Sequence, residues 1–333
     1  MFKKRIKDTD YLFISARIRA MERNLLTAAR MERMIDAPTV DDAAKVLGEI
    51  GYGDFSLTGE QSLNGVLLAE REKVLQELTP MMPDRAVMDV FRVKYDYHNV
   101  KTMLKALAVS SDPERLLVDA GRVSAEQLAG GLRVGDYSVL PGRLQAAAAE
   151  AAEVLHATGD PQRSDFVLDR AYYEEMLELA EASGSKFLTE YVRANIDSVN
   201  LRSAVRTLRM KKDSEFLRKV LFSGGTVSVE SIAAAVENRE LEKLYYSTAL
   251  RQAAEYGVAS VGGGSMTKFE KACDDAVTAV VARAKKVPFG VETVIAYVAA
   301  KEIEFTAVRV ILTGRMAGLS GETIRERLRE TYV

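Results

Sequence analysis

One polar signature occurs three times in this chain, at intervals of about a hundred residues. Arg92-Val-Lys-Tyr-Asp96-Tyr-His-Asn99-Val100-Lys101 aligns with Arg193-Ala-Asn-Ile-Asp197-Ser-Val-Asn200-Leu201-Arg202, and a degenerate third copy reads Ile303-Glu304-Phe-Thr-Ala307-Val308-Arg309. The acid thus recurs at Asp96, Asp197 and Glu304. Solenoid repeats run to ~20–50 residues, so a unit of this length is a small domain rather than a single turn of an array.

A second shared piece follows each copy: Gly121-Arg-Val-Ser124-Ala-Glu126, Gly225-Thr-Val-Ser228-Val-Glu230 and Ala317-Gly-Leu-Ser320-Gly-Glu322. Each reads as a serine cap with a glutamate in the first helical turn, where the helix dipole favours negative charge. Ile35-Asp-Ala-Pro-Thr-Val40 resembles Val118-Asp-Ala-Gly-Arg-Val123, which marks the segment 1–57 as a partial extra copy packed with the C-terminal unit. The expected organisation is therefore 1–57, 58–136, 137–237 and 238–333, a partial repeat and three full ones.

Within the units, apolar residues recur at three- and four-residue spacing, as at Val100, Leu104 and Leu107 or Leu201, Val205 and Leu208. Two-residue alternation is nearly absent, and Gly and Pro punctuate the pattern at Ala37-Pro38, Asp112-Pro113, Gly159-Asp160-Pro161, Gly224-Gly225 and 262–264. The expected fold class is all-α.

At 333 residues the chain exceeds what one hydrophobic core comfortably serves, roughly 250–300 residues. Forty-six Lys and Arg against 48 Asp and Glu leave a net charge of −2, so there is no global field for nucleic acid. The charge is uneven: 193–219 carries eight bases and three acids, 146–182 nine acids and two bases, a pattern suited to charged protein partners or to solvated helix faces. The single cysteine, Cys273, excludes an internal disulfide and points to a reducing, cytosolic compartment. The charged start Met1-Phe2-Lys3-Lys4-Arg5 does not read as a secretory leader. The longest uncharged run, 256–267, falls short of the ~18–20 apolar residues of a membrane span.

Nothing here composes a reactive centre. His98 and His156 are the only histidines, and no Cys/His spacing matches a zinc site. Gly262-Gly-Gly-Ser265-Met-Thr-Lys268 lacks the second glycine of a phosphate loop and reads as a turn with Ser265 capping the next helix. Gly51-Tyr-Gly53-Asp-Phe-Ser misses a dinucleotide fingerprint, and the acid pairs Asp41-Asp42 and Asp274-Asp275 lack the third acid of a diphosphate clamp. No catalytic residue, cofactor or metal is expected. The repeated set Arg92, Asp96, Asn99, Lys101, Arg193, Asp197, Asn200, Arg202, Glu304 and Arg309 reads as structural, fixing how helices meet, with Arg92/Asp96 and Arg193/Asp197 at the spacing of a helical ion pair.

Taken in order, several pieces resemble the V-type and archaeal-type ATPase subunit known as C in prokaryotes and d in eukaryotes. They are Tyr11-Leu-Phe-Ile-Ser-Ala-Arg17-Ile-Arg19-Ala-Met-Glu22 with Leu25-Leu26, the Asp–Asn–base pieces at Asp96 and Asp197, and Pro288-Phe-Gly-Val-Glu292 through Lys301-Glu302-Ile303-Glu304 and Val308-Arg309 to Leu319, Ile324 and Leu328. The likeness covers essentially the whole chain, with Ala307-Val308-Arg309 departing from the family's Asn-Leu-Arg-like triplet. It implies three similar helical domains set pseudo-threefold as a funnel with a central cavity. Its role would be a non-catalytic central-stalk socket between the soluble rotor shaft and the membrane proteolipid ring, on the cytoplasmic face, transmitting torque for ATP-linked ion transport. Candidate partner contacts are the bases Arg17, Arg19, Arg206, Arg209, Lys211 and Lys212. The rival readings are a helical adaptor of an unrelated complex, separable by what co-purifies, and an all-α enzyme, which would need a pocket of strongly perturbed ionisable groups.

Overall fold

The computed structural model of the chain describes residues 6–53 and 60–333. Met1-Phe2-Lys3-Lys4-Arg5, the expected boundary at 57/58 and the end of the Gly51-Tyr-Gly53 stretch lie outside the described residues. No strand occurs among those described, and the chain is all-α.

Four helices precede the first copy of the signature: α1 (Leu12–Met21), α2 (Ala28–Asp36), α3 (Val40–Gly48) and α4 (Glu60–Leu78). The first copy lies on α5 (Ala86–Ala108), followed by α6 (Ala125–Arg133), α7 (Gly142–Thr158) and α8 (Pro161–Ala182). The second lies on α9 (Lys186–Arg209), followed by α10 (Ser214–Val220), α11 (Val229–Glu237), α12 (Leu241–Leu244), α13 (Arg251–Val261) and α14 (Met266–Ala282). The third lies on α15 (Val291–Met316), followed by α16 (Gly321–Arg327).

Nine of the described α-helix starts carry a side-chain cap. Thr27, Thr39, Ser124, Asp160, Ser185, Asp213, Ser228, Ser265 and Ser320 each accept a backbone N–H from the first turn of their helix. Each such cap stabilises its helix by about 1 kcal/mol relative to alanine.

The long helices end alike. Ser110, Lys211 and Gly318, each fourteen positions past the repeated acid, have φ of 51°, 53° and 69°. The next residue then donates back across five positions: Ser111 to Ala106, Lys212 to Thr207 and Leu319 to Gly314, at 2.9, 3.1 and 2.9 Å. This left-handed stop satisfies carbonyls the helix leaves open. Only the third copy uses the glycine that would announce it.

Three apolar clusters form the interior. The largest joins α1, the second half of α4, α5, α6, α7 and α8 to the first halves of α9 and α15, through residues such as Ile14, Leu75, Val100, Leu128, Leu144, Leu168, Ile196 and Val294. A second is built by α2, α3, α4, the second half of α15 and α16, with Met34, Leu47, Leu63, Phe305, Ile311 and Ile324. The third lies between the second half of α9 and α10 to α14, with Leu201, Val205, Leu217, Ile232, Phe269 and Cys273.

Two of the long helices thus run from one core into another. On α9, Leu188, Val192 and Ile196 belong to the first cluster, and Leu201, Ala204 and Val205 to the third. On α15, residues 294–300 belong to the first, and Phe305, Val308 and Ile311 to the second. Each keeps exposed polar positions as well, such as Arg206 on α9 and Arg309 on α15, so its apolar face changes direction along its length. The positions of two sequence-based boundaries bear on this. Position 136/137 falls between Leu132 and Leu140 of a single cluster, and 237/238 falls between Val236 and Leu241 of another.

Candidate functional site: the polar clamps and the junction of three long helices

Each repeated acid lies midway along a long helix and accepts N–H groups from a segment entering a capped short helix. Asp96 receives the backbone N–H of Arg122 at 2.9 Å and of Val123 at 3.3 Å, and Arg122 Nε at 2.6 Å; Ser124, the next residue, caps α6. Asp197 receives the N–H groups of Thr226 and Val227 at 3.0 and 3.2 Å together with the Thr226 hydroxyl, and Ser228 then caps α11. Glu304 receives the N–H of Leu26 at 2.6 Å, and Thr27 then caps α2. In every case one of the donors is the backbone N–H of the residue just before the cap.

The third short helix of the set is therefore α2, from the other end of the chain. The expectation that Ser320 repeats Ser124 and Ser228 is corrected: Ser320 follows Glu304 at little more than half the separation that parts Ser124 from Asp96 or Ser228 from Asp197. Its counterpart is Asp213, the α10 cap, which stands at the same distance along the chain from Asp197 as Ser320 does from Glu304. The serine-capped pattern misled because any capped helix shows it.

The asparagines complete two of the clamps. Asn99 donates to the Val118 carbonyl at 2.8 Å and accepts the Val118 N–H at 2.9 Å; Asn200 does the same with Phe222 at 2.7 and 2.8 Å. Ala307 at the third position has no such side chain. Glu304 is instead held by the Tyr52 hydroxyl at 2.7 Å and by the buried Lys301 ammonium at 2.6 Å. Two glycines make the approach possible: a Cβ on Gly121 or Gly225 would lie 2.1 Å from the carboxylate oxygen of Asp96 or Asp197.

The expected pairs within one helix do not form. Asp96 pairs with Arg122, which also reaches Glu175 at 2.8 Å, and Arg193 reaches Glu181 at 3.1 Å. The carboxylates are turned toward neighbouring N–H groups, where hydrogen bonds to a buried charge contribute ~1.5–3 kcal/mol. Arg122, Glu175, Lys301 and Tyr52 were not singled out from the sequence. Two of them carried a signal, Arg122 by its place one residue before Val123 in the shared piece and Lys301 by its place in the run that leads to Glu304.

Three equivalent positions, each two residues before the acid, meet in one cavity of about 280 Å³: Lys94, Asn195 and Glu302 all line it. Lys94 lies 2.7 Å from Glu302, which also receives the Tyr95 hydroxyl at 2.7 Å and Arg71 Nε at 3.1 Å. Burial by itself would raise the Glu302 carboxyl, but the cations of Lys94 and Arg71 outweigh it and hold it near about 2. The junction is thus an ionic knot tying α15 to α5 and α4.

The charge bias of the sequence resolves largely into such pairs. Lys101 meets Asp169, Lys105 meets Asp165, Arg202 meets Asp274 and Arg206 meets Glu270. Arg19 donates to the Val287 carbonyl at 2.6 Å and pairs with Glu22, so its bonds are internal, and Arg17 reaches Glu77 at 2.5 Å. Arg209, Lys211 and Lys212 stand exposed at the end of α9 beside the exposed Met210. Arg309 is exposed on α15.

Among the described residues no three His, Cys, Asp or Glu side chains converge as metal ligands would. His98 Nε2 lies 3.1 Å from the Leu116 carbonyl, and Asp274 is taken up by Arg202 and Arg329. Burial pushes the Cys273 thiol up to about 12. No helix among the described residues is long and apolar enough to cross a membrane.

Fold and site together define an all-helical chain whose repeated acids are bonded to its own backbone. The chain belongs to the ATP synthase (C/AC39) subunit family, whose model matches residues 14–327. It is 24% identical over 330 residues to the C subunit of the V-type sodium ATPase of Enterococcus hirae, covering 97% of this chain and 99% of that one. It is 25% identical over 357 residues to the C subunit of the A-type ATP synthase of Methanocaldococcus jannaschii, covering 96% of this chain and 86% of that one.

Proposed function

We propose that this chain is a non-catalytic central-stalk subunit of a rotary ATPase, a socket that couples the soluble rotor shaft to the membrane proteolipid ring from the cytoplasmic side. The observation that carries the reading is the convergence of α5, α9 and α15 on one cavity, with equivalent residues Lys94, Asn195 and Glu302 facing it. Three similar units, one beginning at each long helix and the last completed by α2 to α4, then surround a common centre as a funnel would require. Rods shared between cores suit torque transfer, because close-packed interiors have low compressibility and pass strain on.

The exposed bases Arg209, Lys211 and Lys212 are the proposed docking charges, acting on orientation and on-rate more than on affinity. The test is a pull-down from membranes followed by ATP-driven ion pumping in the reconstituted complex. The chain co-purifies with a proteolipid ring and nucleotide-binding subunits, and omitting it abolishes coupled pumping. Reversing Lys211 and Lys212 to glutamate weakens docking while the isolated chain melts unchanged. Capture of other partners without a ring would remove the reading.

A further inference from the structure

A second cavity, of about 720 Å³, opens between α4, α5 and α15. Leu68 and the 116–118 segment give it an apolar wall, and Arg71, Lys94, His98, Arg115 and Arg309 line the rest, with no aspartate or glutamate among the lining residues described. Glu302 neutralises one of the two charges on Arg71 and Lys94. Arg115 and Arg309 have no carboxylate within ion-pair distance among the described residues, so the cavity keeps a net positive lining.

The internal repeat shows why this is unusual within the molecule. Arg309 stands five positions after its acid, as Lys101 and Arg202 do. Lys101 meets Asp169 on α8, packed along α5, and Arg202 meets Asp274 on α14, packed along α9. Among the several helices packed on α15 is α4, and toward this cavity it presents Asn64, Gly65 and Leu68. Among the described residues Arg309 has no acid opposite it, and the space beside it is open.

We infer that this cavity binds a small amphipathic anion, a phosphate- or carboxylate-headed molecule whose apolar body lies on Leu68 and Leu116 while its head meets Arg309 and Arg115. The volume falls within the ~300–1,000 Å³ typical of small-molecule sites. Paired guanidinium groups present forked donors that match the oxygens of such a head. Walls of low polarity focus their field on the space between them.

The test titrates the full chain with octyl phosphate, below the concentration at which it forms micelles, by isothermal calorimetry. Saturable binding is expected, weakened about tenfold or more in each of Arg309→Gln and Arg115→Gln, with far-ultraviolet circular dichroism and melting unchanged. Octyl glucoside, which has the same tail and no charge, binds at least about tenfold more weakly. Phosphatidic acid vesicles separate the two sources of such a head: sedimentation that depends on Arg309 marks a lipid, and octyl phosphate binding without it marks a free anion. No saturable binding of octyl phosphate, or binding unchanged in both variants, overturns the inference.

Discussion

The clamp at Asp197 and the clamp at Glu304 occupy the same place on their helices and are closed by opposite means. Asp197 and Asn200 bind a stretch of chain that returns 22 to 30 residues later. Glu304 binds Leu26 and Tyr52, 278 and 252 residues away, with Ala307 in place of the asparagine and Lys301 added. What the repeat preserves is a buried carboxylate offered to the N–H before a helix cap. The order in which the chain supplies that N–H is free to change.

This comparison can be broken at its charged member first. Glu304→Ala leaves Lys301 buried with only Glu70, at 3.3 Å, as a counter-charge, and should cost about 3–5 kcal/mol in urea unfolding. Hydrogen exchange should then rise first in α2 rather than in α11; uniform loss across both would deny that Glu304 is the local clasp of α2. Gly225→Ala drives a methyl into Asp197 and should cost about 1–3 kcal/mol, with Gly121→Ala matching it if the two clamps are equivalent.

The Glu302 knot sharpens the same contrast through pH. Its carboxyl is held at about 2, below its unfolded value of ~4.3, so its stabilisation is fully present above ~4.3 and is lost as pH falls through about 2. Two units correspond to about 3 kcal/mol at neutral pH. Glu302→Gln should flatten that part of the stability profile between about pH 5 and 2; a parallel curve for wild type and variant would refute the assignment. The smallest effect belongs to the caps: Ser228→Ala and Thr27→Ala should each cost about 1 kcal/mol, and a much larger loss at Thr27 would mean that α2 is held by its cap more than by Glu304.

Much of this was legible in the residues alone. The three- and four-residue spacing gave an all-helical chain, and Ser124, Ser228 and Ser265 were readable as caps because their side chains act on backbone groups three residues away. Asp96 with Asn99 and Asp197 with Asn200 were readable as a repeated structural set. Their partners were not, since spacing along one helix pointed inward to Arg92 and Arg193 while the acids look outward to another segment. The segment 1–57 was expected beside the C-terminal unit from its likeness to 118–123, but the clasp itself was not, since no local pattern links Leu26 to Glu304. The left-handed ends at Ser110 and Lys211 escaped because neither residue is the glycine that normally marks such a turn.

The apolar cluster shared by α2, α3 and the second half of α15 also sets an order of events during synthesis. Leu47 leaves the ribosome roughly 260 residues before Phe305, an interval on the order of tens of seconds at ~5–20 residues per second. Throughout that time the inward faces of Met34 and Leu47 have no α15 to cover them, and the core around α9 closes before theirs, once α14 has emerged. The helices α2 and α3 thus become the last to find their permanent neighbours, and a chaperone that shelters them should raise the yield of folded chain more than one acting on any later segment.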